Sequence, residues 1–117
     1  MTLLARLRRF QAKTQSAEWQ DVGAAEDFPP ETARIVTVLG TPIAVFHVEG
    51  RLLAIADVCP HMGASLSEGV LDCARAVTCP AHALSFDLRT GKCREDGNYA
   101  ARPFRVDVRD GRVLIRV

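Results

Sequence analysis

From Ala33 onward the chain alternates between apolar and polar positions at a period that suits strands, not helices. "ARIVTVL" (Ala33 to Leu39) is β-branched and alternating. "PIAVFHV" (Pro42 to Val48) and "RLLAIA" (from Arg51) follow it, with turn signals at Gly40-Thr41 and Glu49-Gly50 between them. Upstream, Trp19 to Val22 is a candidate first strand, and the two prolines of "FPPET" (Phe28 to Thr32) make a loop. Downstream, "FRVDVRD" and "RVLIRV" flank Asp110-Gly111, a strong hairpin signal, and Val106 and Val108 alternate with Asp107 and Arg109 as in a half-buried strand. The pattern predicts an antiparallel, all-β protein with one long non-periodic excursion, about residues 57–98. Only short strands, "AVTC" and "LSFDL", interrupt that excursion. Excursions of that length are uncommon in a compact domain unless a function orders them.

The first 17 residues read differently. Leu3, Leu4, Leu7 and Phe10 fall on one face at helical spacing, so residues 1–17 are expected to form a short amphipathic helix that packs on the domain or on a partner. Residues 18–117 are expected to be a single domain, as the length of 117 residues suggests. With 48% hydrophobic and 25% charged residues, the composition is that of an ordinary globular protein. Arg6, Arg8, Arg9 and Lys13 precede the first acidic residue, Glu18; beyond them 11 basic face 14 acidic side chains, a mildly acidic body. The overall charge of +1 argues against a nucleic-acid partner. No stretch reaches the roughly 20 apolar residues of a membrane helix, so no membrane partner is expected. No secretory apolar run opens the chain, and a reducing, cytoplasmic location follows as the expectation. In such a compartment the four cysteines, Cys59, Cys73, Cys79 and Cys93, bind metal or remain thiols more often than they pair.

Two of them sit in clips inside the excursion. The first is Cys59-Pro60-His61 and the second Cys79-Pro80-Ala81-His82. A structural zinc with Cys₂His₂ ligation usually draws each clip from one ligand type. Here each clip is mixed, which suits a site with two unlike ends, such as a diiron cluster with Cys₂ on one iron and His₂ on the other. A non-redox module with structural zinc is the alternative. Pro60 and Pro80 each fix φ one residue after a sulfur donor, and Gly63 permits a sharp turn.

"CPHMGASLSEG" and "CPAHALSFDLRTG" resemble the two cluster-binding loops of Rieske [2Fe–2S] proteins, and the likeness runs from about Trp19 to Val117. Gly63, Ala64, Leu66 and Gly69 match in the first loop; Phe86, Asp87, Thr90 and Gly91 match after the second. The resemblance implies a Rieske-type antiparallel β-sandwich or barrel with an inserted two-loop cluster-binding subdomain. It implies a [2Fe–2S] cofactor with Cys59 and Cys79 on one iron and His61 and His82 on the other. Ala83 departs from the glycine usual after the second histidine.

High-potential members of the family tie their loops with a disulfide and place serine and tyrosine hydroxyls near the cluster. The matching positions here are Ala64 and Ala81, and Leu84 and Phe86. Fewer donors favour the oxidised cluster, so a potential of roughly −150 to 0 mV is expected. Cys73 and Cys93 lack ligand clips and read as ordinary thiols, and His47 reads as a sheet residue. No nucleophile–base set or phosphate-binding glycine loop appears, so the chain is expected to carry electrons without catalysis of its own. "TGKCREDG" and the closing "VDVRDGRV" resemble the small subunit of assimilatory NAD(P)H nitrite reductase, which implies the large subunit of that enzyme as partner. The second reading is the Rieske ferredoxin of a ring-hydroxylating dioxygenase system, with a ferredoxin reductase and a terminal oxygenase as partners.

Overall fold

The computed structural model describes residues 19–60, 63–72, 75–81 and 84–116. The helix expected over residues 1–17 lies outside them. Six strands form the larger sheet: β1 (Trp19–Ala24), β2 (Ala33–Val38), β3 (Thr41–Val48), β4 (Arg51–Ala56), β8 (Pro103–Arg109) and β9 (Arg112–Arg116). Between β4 and β8 the excursion supplies three short strands, β5 (Val70–Leu71), β6 (Ala76–Thr78) and β7 (Ser85–Asp87). The large sheet runs β1-β9-β8-β4-β3-β2 and the small one β5-β6-β7, with every pairing antiparallel. Among the described residues the only helical pieces are two 3₁₀ turns, Ala25–Asp27 and Leu66–Glu68.

Two of the three hairpin turns form where the sequence places them, and the third lies one residue away. Leu39-Gly40, Glu49-Gly50 and Asp110-Gly111 all have positive φ at both residues, the twist that two-residue hairpins prefer. The β2–β3 turn falls one residue earlier than Gly40-Thr41, because Thr41 already pairs with Val38 in the ladder. β1 extends past Val22 to Ala24, and its register against β9 shifts between Val113 and Leu114. This irregularity adds local twist.

Two apolar clusters result, and β3 feeds both. Its side chains alternate between the two faces. Ile43 and Val45 join Phe28, Val38, Ala54, Val113 and Ile115 inside the curled large sheet. Ala44, Phe46 and Val48 face the other way, onto Leu66, Val77, Phe86 and Leu88 of the excursion. β3 therefore reads as a nearly continuous apolar run, as a strand covered on both faces should. Val22 on β1 and Val36 on β2 pack on the same inner cluster. The two edge strands thus approach each other across a nearly closed barrel, without a hydrogen-bonded ladder between them.

This architecture sets where the two clips lie. β4 ends at Ala56, whose N–H donates to the Arg102 carbonyl at 2.8 Å, and the next N–H, of Asp57, donates to the Pro42 carbonyl at 3.0 Å. The chain thus leaves the large sheet at a fixed point, two residues before Cys59. β6 ends at Thr78, one residue before Cys79, and β7 begins at Ser85.

Candidate metal centre

Cys59 and Cys79 each retain about 1% of their exposure and share one buried cluster with Leu66, Val77 and Phe86. Both loops close in the same way. The Cys59 N–H donates to the Ala64 carbonyl at 2.7 Å, and the Cys79 N–H donates to the Leu84 carbonyl, also at 2.7 Å. In the first loop the Gly63 N–H also donates to the Cys59 carbonyl at 2.7 Å, and Gly63 holds φ at +80°. A left-handed residue there favours glycine, as the sequence suggests. Pro60, Pro80 and Ala81 are exposed, so the turns of both loops reach solvent while the cysteines are buried. His61, Met62, His82 and Ala83 lie outside the described residues, as does Cys73.

Each loop is braced by a carboxylate that sequence reasoning did not single out. Asp57, buried before the first clip, accepts the Ser65 hydroxyl at 2.6 Å on one oxygen and the Ser67 N–H at 2.6 Å on the other. The Ser65 and Ser67 hydroxyls are themselves 2.8 Å apart. Behind the second clip, Glu95 accepts the Ser85 N–H at 2.8 Å and the Ser85 hydroxyl at 2.5 Å. These two bonds from Ser85, side chain first, hold the Glu95 carboxyl below its ordinary value. At the end of β7, burial works upward on Asp87, but the N–H groups of Arg89 and Thr90 and the Arg89 side chain outweigh it and leave its pKa lowered. The turn that carries "LRTG" is thereby fixed.

Cys93 is buried opposite Phe86, and its thiol lies 3.6 Å from Glu95. That is the setting of a packed thiol, as its lack of a ligand clip suggests. His47 sits on β3, with Nδ1 donating to the Phe28 carbonyl at 2.7 Å. It is a sheet residue and takes no part in the clips.

The donor chemistry fits an iron–sulfur cluster. Two buried cysteines stand on two loops of matched closure, against an apolar wall of Leu66, Val77 and Phe86 that keeps water from sulfur. A family model described as the Rieske [2Fe–2S] domain matches residues 18–106. The chain belongs to the Rieske [2Fe–2S] family. Its all-β fold is the Rieske fold, its cofactor is the Rieske-type [2Fe–2S] cluster, and its role is electron transfer with a redox partner protein. The structural-zinc alternative gives way to that cofactor.

Among Rieske relatives, the chain is 41% identical to a 3-phenylpropionate/cinnamic acid dioxygenase ferredoxin subunit from Photorhabdus laumondii. The match covers 82% of this chain and 91% of that protein. The ferredoxin in a solved complex of reduced oxygenase and oxidized ferredoxin of carbazole 1,9a-dioxygenase is 37% identical. It covers 84% of this chain and 92% of its own, with a TM-score of 0.75. A structure described as an NADH-dependent nitrite reductase small subunit from Mycobacterium tuberculosis is 25% identical. It covers 85% of this chain and 95% of its own, with a TM-score of 0.78. Among the described residues no helix is long and apolar enough to cross a membrane.

Proposed function

We propose that this protein is the ferredoxin component of a ring-hydroxylating dioxygenase system, passing electrons from a flavin-dependent reductase to a terminal oxygenase in the cytoplasm. The observation that carries this reading is the 41% identity, nearly end to end, with a dioxygenase ferredoxin subunit. The nitrite reductase reading rests on the "TGKCREDG" and "VDVRDGRV" segments, and the structural relative of that kind shares 25% identity. The greater identity over a similar span favours the dioxygenase system.

In this proposal Cys59 and Cys79 hold one iron, and His61 and His82 hold the other. The bound cluster supplies one-electron chemistry at a potential raised by its two imidazole ligands. The chain sets the rest. Leu66, Val77 and Phe86 exclude water from the sulfur end. The loop closures at Ala64 and Leu84 brace the two cysteine backbones. Leu84, half-buried beside the second clip, and Phe86 bring no hydroxyl to the site, which keeps the potential in the lower part of the Rieske range, roughly −150 to 0 mV.

Electron paramagnetic resonance of the anaerobically purified, dithionite-reduced protein tests the ligand set. A low average g, the mark of a histidine-ligated diiron cluster, is expected; a higher average g, or zinc in place of iron, overturns it. Turnover with a flavin-dependent ferredoxin reductase and a ring-hydroxylating oxygenase then tests the pathway. Co-purification with a large sirohaem- and flavin-containing protein, with no oxygenase turnover, would return the reading to nitrite reductase.

A further inference from the structure

Only two polar side chains are buried among the described residues, Asp57 and Ser85, and each stands beside one of the two clips. Buried polar groups are nearly always hydrogen-bonded, so their partners show what holds them. Asp57 is served from within its own loop, by Ser65 and Ser67. Ser85 is served from outside the second loop. Glu95 takes both its N–H and its hydroxyl. The Arg94 N–H donates to the Ser85 carbonyl at 2.8 Å, and Arg94 Nε lies 3.3 Å from the Ser85 hydroxyl. Arg94 is anchored in turn on Asp72 at 2.8 Å. Ser85 directly follows Leu84, whose carbonyl accepts the Cys79 N–H. A continuous line therefore runs from the Glu95 carboxylate through Ser85 and the Leu84 peptide to the backbone of Cys79.

We propose that Glu95 is a positioning residue for the second ligand loop: its carboxylate clamps Ser85 and so sets where Cys79 is held. The inference rests on the assignment of Cys79 as a ligand. It gives a physical role to the "CRED" part of the C-terminal segment. Arg94 and Glu95 hold the second loop from behind as Asp57 holds the first from its own strand end. Each loop ends on one carboxylate that takes one serine hydroxyl and one backbone N–H. Residues that orient a ligand without touching the metal typically change metal affinity by roughly 10- to 100-fold when removed.

The test compares Glu95→Ala, Glu95→Gln and Ser85→Ala with the parent, each as the full chain loaded with its cluster. Three quantities are read: the g-values of the reduced cluster, its reduction potential, and the rate at which cluster absorbance is lost to a chelator. Glu95→Ala leaves the Ser85 N–H and hydroxyl without their acceptor. It is expected to broaden and shift the g-values, move the potential, and speed cluster loss by roughly 10- to 100-fold. Glu95→Gln keeps a carbonyl oxygen for the Ser85 N–H and an amide facing the hydroxyl, and is expected to restore most of the parent behaviour. A residue that merely stabilises the fold would lower the unfolding temperature of Glu95→Ala and leave g-values and potential in place; that result overturns the proposal. If Glu95→Ala does not fold, Ser85→Ala decides: parent g-values and parent cluster-loss rate in that variant overturn it. A parent protein without the histidine-ligated signal removes the ligand assignment and this inference with it. A parent with that signal beside an unchanged Glu95→Ala removes the inference alone.

Discussion

Gly69→Ala offers a sharp test of how the two loops are packed together. Gly69 follows the 3₁₀ turn of the first loop with φ −78° and ψ 179°, a conformation any residue adopts, so torsion does not require glycine there. Space does. A Cβ at this position would collide with the Thr78 carbonyl oxygen and lie 2.8 Å from Val77 Cγ2 and 3.1 Å from the Thr78 carbonyl carbon. The main obstacle is backbone of β6, so no side-chain rotation relieves it. Restoring an ordinary C···O separation of about 3.3 Å requires one chain to move by on the order of an ångström. Thr78 immediately precedes Cys79, so the displacement feeds into the second clip. Overpacking of this kind costs roughly 1–3 kcal/mol. Taking about 2 kcal/mol, and roughly 4–8 °C per kcal/mol for a domain of this size, the unfolding midpoint falls by about 8–16 °C. Gly97 is the control: it is exposed, and a Cβ there would meet no other atom within 4 Å. Gly97→Ala is expected to stay within about 0.5 kcal/mol of the parent. Circular dichroism melts of the three loaded proteins, with iron content measured beside them, make the comparison. A Gly69→Ala protein that melts with Gly97→Ala and keeps its full iron would refute the crowding argument.

Three further outcomes are expected. Asp57→Ala leaves the Ser65 hydroxyl and the Ser67 N–H without their acceptor in a buried site, and urea denaturation should show a loss of at least the roughly 1–3 kcal/mol of one orphaned donor. Asp57→Asn, which keeps one carbonyl oxygen, should lose less. Arg112 donates to both oxygens of Asp21 and holds that carboxyl below its ordinary value. The stability this pair adds is present above the unfolded carboxylate pKa of about 3.9 and is lost as pH falls through the lower folded value. The difference in urea midpoint between parent and Arg112→Gln should therefore shrink from pH 6 to pH 3, and a constant difference would count against the pair. Leu84→Glu puts a charge beside the second clip; stopped-flow mixing with the reductase should show slower electron transfer while the reduced spectrum stays that of the parent.

Much of the fold was legible because it is local. Strand alternation depends on a two-residue period, and three hairpins are written in Gly40, Gly50 and Gly111, each preceded by a residue that takes positive φ. The Cys59 and Cys79 clips stand out for the same reason: cysteine, proline and histidine lie within four consecutive residues. The shift of the first hairpin to Leu39-Gly40 was less legible, since leucine is not a usual residue at positive φ and only the pairing of Thr41 with Val38 shows it. The two-residue strand Val70–Leu71 carries too few positions for any periodicity to register.

Nothing in the sequence marked the braces behind the clips as braces. Glu95 lies in the "TGKCREDG" segment, and its role depends on Ser85, ten residues away, being buried at the start of β7. Asp57 stands at the start of the excursion, and only its burial against Ser65 and Ser67 marks it. By itself the sequence determined the strand type, two of the three hairpin turns and the two Cys/His clips as candidates, because those follow from torsional preference and side-chain chemistry over a few neighbouring residues. Tertiary structure decided the strand order, the burial of β3 on both faces and the carboxylate that stands behind each loop. Those depend on which distant segments exclude water from one another, and a short stretch of chain carries no record of that.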